Sequence, residues 1–204
     1  MNTSVFLTEC VMSEQPKAEL PTLSFVDQAA WREWLDAEHA TSKGIWLKMA
    51  KKATGIASIN YAEALDVALC YGWIDGQKKS FDEQAWLQKF TPRGKKSIWS
   101  NVNRGHIERL TAAGLMQSAG EAEVARAKAD GRWDAAYDSQ KNATIPEDFQ
   151  AALDASPTAA SFFATLKQAQ RYSFLFRIQT AKKPETRSKR IQEFVSLLER
   201  GETL

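Results

Sequence analysis

The chain has 204 residues, 44% hydrophobic and 25% charged, and a formal net charge of +2. That is the composition of an ordinary soluble globular protein, long enough to bury a sizeable core. The balance is too near neutral to be a nucleic-acid footprint in itself, and no apolar run approaches the ~20 residues needed to span a bilayer.

The N-terminal stretch through Leu20 lacks the basic and long apolar regions of a signal peptide. It is expected to be a flexible tail over residues 1–22, with Met12 as a second candidate start, on a cytoplasmic protein. Cys10 and Cys70 form no disulfide framework, which fits a reducing compartment. Cys70 lies in the apolar run Leu65–Tyr71 and reads as a buried free thiol. The two cysteines and two histidines are far apart, so neither a metal site nor a cofactor is expected.

In chain order, Asp27 predicts the cap of a helix whose apolar stripe is Ala30, Trp31, Trp34 and Leu35, with His39 near its end. Gly44–Ala50 predicts a strand covered on both faces. Asn60 and Glu63 form a capping-box pair for a helix with Tyr61, Ala64, Leu65, Ala68 and Leu69 on one side and Gly72 as its stop. Trp73–Gly76 predicts a short strand running into a turn at Asp75-Gly76, and Trp86–Phe90 its returning partner, stopped by Pro92 and Gly94.

A helix beginning near Ser97 or Ser100 carries Val102, Ile107 and Leu110 inward and stops at Gly114. An Ala- and Glu-rich segment follows, and Trp133 and Tyr137 are placed to dock this region on the core. Pro146 and Pro157 each open a short helix. A polar break at Lys167–Gln170 precedes Tyr172–Thr180. The last helix opens at Lys183-Pro184, with the stripe Ile191, Phe194, Val195 and Leu198, and stops at Gly201. The sum is an α+β protein: a small N-terminal β-sheet with helices, then a helical C-terminal region. The expected division is 23–115 and 116–204, with the two parts free to pack as one body.

Chemistry concentrates in residues 60–103, where basic groups, an acid, amides and indoles lie at element ends. Arg93, Lys96, Ser97 and Ser100 precede or open a helix, whose free N–H groups and positive dipole end favour an anion. Asn103 and Arg104 are placed to close such a site, with Trp73, Asp75 and Trp99 beside it. The bland reading is a helix cap with a solvated basic loop. The segment Gly94–Ser97 is no P-loop, because Lys89 stands where the leading glycine belongs. Asp75 reads either as a turn residue or as a general acid/base with Arg93 as an anion clamp. The C-terminal cations Arg171, Lys182, Lys183, Arg187 and Arg190 give the alternative of a nucleic-acid surface, against ion pairing within the domain.

The C-terminal pattern has a specific form. Phe163 and Leu166 precede Arg171-Tyr172; Ala181-Lys182-Lys183 leads to Thr186-Arg187; Arg190-Ile191, Leu197-Leu198 and Gly201 follow. It resembles the YdeI/OmpD-associated, bacteriocin-protection family. Trp46-Leu47, Tyr61, Gly72–Gly76, Phe90–Arg93 and Trp99-Ser100 look like the longer members of that family, extending the resemblance over about residues 23–202. Lys167-Gln168-Ala169 replaces the usual Pro-Gly-type break, and Gly94 a second basic residue. The resemblance implies a bacterial stress or antimicrobial-peptide-resistance role and supplies no catalytic set. The expected partner is therefore an anionic small molecule or a protein, bound without catalysis. An enzyme and a nucleic-acid binder are the alternatives.

Overall fold

The computed structural model describes residues 19–204. Most of the expected N-terminal tail lies outside the described residues, as do Cys10 and Met12. Four strands form one sheet: β1 (Thr22–Leu23), β2 (Ile45–Ala50), β3 (Trp73–Ser80) and β4 (Ala85–Pro92). Their spatial order is β1-β2-β4-β3, with β1 parallel to β2 and the remaining pairs antiparallel. Among the described residues the chain is α+β, with the sheet in the first half and helices alone in the second.

Local signals account for the helices around the sheet. Asp27 accepts the Ala30 N–H at 2.9 Å and starts α1 (Gln28–Glu38), which buries Trp31 and Leu35. Asn60 and Glu63 close a reciprocal capping box on α2 (Tyr61–Cys70), and Gly72, at φ 72°, ends it. These two helices cover one face of the sheet. Ile45, Leu47, Met49 and Phe90 join Trp31, Leu69 and Trp73 there in a core of stacked and edge-on aromatics.

Two strand expectations need correction. β2 is not covered on both faces: Ile45, Leu47 and Met49 are buried, while Trp46, Lys48 and Ala50 are only partly so. The hydrophobic run hides an alternation, because Trp46 and Ala50 sit on the outer face with Lys48. Asp75-Gly76 is not a turn but lies inside β3. Asp75 pairs with Phe90 and Lys78 with Gln88, so one extra residue is absorbed as a bulge. Gln88 Nε2 donates to the Gly76 carbonyl at 2.9 Å, giving the bulged backbone a partner. The chain reverses at Asp82 instead, whose carboxylate accepts the N–H groups of Gln84 and Ala85.

Beyond the sheet, Ser100 caps α3 (Asn101–Ala112) and α4 (Ser118–Ala129) follows. Ile107, Leu110, Val124 and Ala127 extend the first core, which ends at Trp133. Val102, expected to point inward, is 45% exposed. A second core, from Phe149 to Leu198, is built by α5 (Glu147–Asp154), α6 (Pro157–Thr165), α7 (Gln168–Gln179) and α8 (Pro184–Glu199). The break before α7 is shorter than expected. The Gln170 side chain accepts the Lys167 N–H at 3.0 Å, so the helix starts at Gln168.

The two cores meet along residues 133–143. Tyr137 exchanges backbone hydrogen bonds with Trp99 and Asn101, at 3.0 and 2.9 Å. Its ring stands edge-on to Phe176 of α7, 5.0 Å away, and the Tyr172 hydroxyl donates to the Asp138 carbonyl at 2.9 Å.

Candidate functional site

The end of the β3–β4 ribbon holds the most unusual polar chemistry. The Arg93 N–H donates to the Gly72 carbonyl at 3.0 Å, carrying the ladder one residue past Pro92. Gly94 and Ser97 then close a small turn, and Ser97 exposes its carbonyl to the Arg132 guanidinium at 2.8 Å. Trp99 is 1% exposed and packs on Trp133. The Arg93 guanidinium lies over the Trp99 ring, with Cζ 3.6 Å from its centroid.

Arg93 is only 5% exposed. Its Nη1 donates to the Ile98 carbonyl at 3.3 Å, but buried Nε and Nη2 have no partner among the described residues. The same holds for Trp99 Nε1 and Arg132 Nη2, while Arg132 Nε is paired with Asp130. Buried donors are normally satisfied, and leaving one unmade costs ~1–3 kcal/mol. Two guanidiniums and an indole, on Arg93, Arg132 and Trp99, therefore carry unmatched N–H groups.

The charges agree with this picture. Burial pulls the Arg93 pKa down to about 10, against partial support from Glu123, Asp75 and Tyr137, while Arg132 pushes it lower still. Tyr137 is raised by burial and then by Asp75, with Arg93 and the Ser100 hydroxyl opposing. The Tyr61 hydroxyl donates to Asp75 at 2.8 Å, and burial followed by that bond pushes the phenol well above its usual range. Asp75, Arg93 and Tyr137 thus share one electrostatic field. Glu123, the strongest opposing charge on Arg93, is itself paired with Arg126.

The other expected residues divide. Ser100 accepts the Asn103 N–H at 3.1 Å, and the Asn101 N–H donates to Tyr137, so donors expected to face an anion at the α3 N-terminus serve protein acceptors instead. Lys96 is exposed on the turn, Ser97 holds the turn together, and Arg104 leans toward Trp133 at 5.2 Å. Trp73 is a core residue: its Nε1–H donates to the His39 carbonyl at 3.2 Å, and its ring stands edge-on to Trp31 and Trp34.

In the C-terminal cationic set, Arg187 pairs with both Asp148 oxygens at 2.6 and 2.8 Å and donates to the Ile178 carbonyl. Arg190 is held by the Arg177 carbonyl, whereas Arg171, Lys182 and Lys183 are exposed. Sequence reasoning missed Arg132, which lies 39 positions from Arg93 and follows an unremarkable helix end. It also left His106 without a partner. The imidazole meets Asp66 at 2.7 Å, and Arg109 reaches both oxygens of that carboxylate. Cys70 is fully buried and burial raises its thiol pKa, in keeping with an inert thiol. Among the described residues no cluster of three or more potential metal ligands occurs, and no helix is long and apolar enough to cross a membrane.

Residues 142–201 match the family model described as "Bacteriocin-protection, YdeI or OmpD-Associated". The chain carries a YdeI/OmpD-associated domain. That domain contains the whole second core, α5 to α8, and the Arg187–Asp148 pair that ties α8 to α5. Residues 23–123 match a separate model, a domain of unknown function, DUF8412. The family model itself covers the second half of the resemblance drawn over residues 23–202. Neither the curated proteins nor the solved structures returned a match. Asp75, Arg93 and Trp99 lie in the DUF8412 half. Arg132 and Tyr137 fall in the stretch between it and the YdeI/OmpD-associated domain.

Proposed function

We propose that the chain is a cytoplasmic stress or antimicrobial-peptide-resistance protein that acts by binding rather than by catalysis, and that its ligand is a small anion received by Arg93. The observation that carries this reading is the buried Arg93 guanidinium, stacked on Trp99 with Nε and Nη2 unpartnered. A phosphate or carboxylate oxygen supplies the acceptors that these N–H groups lack, and Arg132 Nη2 adds a further donor nearby. The family label supports the resistance role. A protein partner presenting a carboxylate would satisfy the same chemistry. The enzymatic alternative has Asp75, held by Tyr61, as acid/base and Arg93 as clamp.

The test is a thermal-shift panel of inorganic phosphate, carboxylates and nucleotides on the wild type and on Arg93→Met. Met keeps an apolar side chain over Trp99 while removing the donors. A ligand at ~100 times its Kd adds about 2.7 kcal/mol, or roughly 5–10 °C at this size. The wild type is expected to shift with one anion class and Arg93→Met not to. A flat wild-type panel, or equal shifts in both proteins, overturns the assignment.

A further inference from the structure

The outer face of the sheet carries a second, independent feature. Across β2, β4 and β3 it presents Trp46 beside Lys89, then Lys48, Leu87 and Lys79 in a row. This is the side opposite Ile45, Leu47 and Phe90. Trp46 and Phe81 belong to neither hydrophobic core, and Leu87 between the lysines is buried at 2% exposure. Lysine side chains cover the rings instead. The Lys79 ammonium sits 4.1 Å from the Trp46 centroid and that of Lys48 4.4 Å from Phe81, whose side chain is 50% exposed. Lys78 makes the same kind of contact over Trp86, at 4.2 Å, but on the opposite face, where Trp86 packs against the first core. The nearest opposing charge is Asp82, 3.7 Å from Lys48, and its carbonyl also accepts from Lys51 at 3.0 Å.

We propose that this face binds single-stranded nucleic acid, with bases stacked on Trp46 and Phe81 and phosphates on Lys48, Lys79 and Lys89. Flat rings and ammoniums side by side on one sheet face are what such a strand requires. A stacked base gains more on a ring than an exposed ammonium does, so the lysines leave the rings for phosphate oxygens when the strand arrives. An acidic peptide would use the lysines and leave the ring faces without a role. The surface also differs from the C-terminal helices, where Arg187 and Arg190 are held by protein acceptors. It does not depend on the Arg93 site.

The experiment is fluorescence anisotropy of a labelled oligothymidylate with the full chain, over a salt series, alongside tryptophan quenching. Three phosphate contacts predict a log–log salt slope of about −2, and Lys79→Ala/Lys89→Ala is expected to bring it to about −0.7 with at least tenfold weaker binding. These lysines are surface residues, so the double variant is expected to fold. Trp46→Leu is expected to remove the quench and keep most of the salt slope. The proposal is overturned by absence of binding at low salt. It is equally overturned by duplex DNA or heparin binding as tightly without quenching, or by binding to phosphatidylglycerol vesicles in place of the oligonucleotide. Loss of binding in Lys182→Ala/Lys183→Ala with none in the Lys79/Lys89 variant also overturns it.

Discussion

At the scale of single residues, the informative side chains are those whose burial and charge disagree. Arg93 is a cation in a dry place, and burial holds its folded pKa at about 10, below the ordinary guanidinium range. A depressed base of this kind costs stability at neutral pH, where the folded and unfolded chains both keep it protonated. Tyr71 is the opposite case. Its hydroxyl donates to Asp36, and burial first, then that carboxylate, pushes the phenol up to about 12 from 10.0. The folded state therefore holds this proton more tightly. Its contribution is complete below the unfolded value and lost as pH rises through the folded one. Tyr71→Phe is expected to cost about 1 kcal/mol at neutral pH. The gap between wild type and variant should close between pH 10 and about 12. Urea unfolding of both proteins across that range measures it; a gap unchanged at the alkaline end would show that the Asp36 bond does not carry the effect.

At the scale of elements, helix α4 is held against the end of α2 by closeness rather than by side-chain bulk. A Cβ at Gly120 would stand 2.2 Å from the Cys70 carbonyl oxygen and 2.9 Å from the Met116 methyl. The same carbonyl accepts the Gln117 N–H at 3.1 Å, so the first turn of α4 closes the C-terminus of α2. Backbone cannot step aside as a flexible side chain can. Gly120→Ala is expected to destabilise by about 3 kcal/mol, at the upper end of overpacking costs. Gly105, inside α3, is its control: an added Cβ meets nothing within 4 Å, and Gly105→Ala should stabilise by about 1 kcal/mol through helix propensity. Chemical denaturation of the pair reads both signs, and similar effects would mean that α4 does not depend on this approach.

At the scale of the molecule, two hydrophobic cores share one chain and meet through residues 133–143. Phe174 is fully buried and stands edge-on to both Phe163 and Phe194, so it joins α6, α7 and α8. Phe174→Ala is expected to cost the second core ~3–5 kcal/mol. Because the contacts between cores are a few hydrogen bonds and one aromatic pair, amide exchange should accelerate in α5–α8 while β2 and β4 stay protected. Uniform acceleration across both halves would instead mark a single cooperative unit.

The sequence by itself determined what a few neighbouring residues can settle: the Asp27 and Asn60 caps, the Gly72 and Gly201 stops, the Pro157 and Pro184 helix starts, and the apolar stripe of α8. These are short-range hydrogen bonds and periodicities, written in windows of a few positions. The C-terminal motif was legible for the same reason, since its spacing is local. Asp75-Gly76 misled because a turn dipeptide is also suited to a bulge, and only pairing with β4 decides between them. That Arg93 is buried, that Arg132 grips the neighbouring turn, and that the Asn101 N–H is taken by Tyr137 were decided by tertiary structure alone. Desolvation and charge fields depend on which distant segments come together, and no local window of sequence records that.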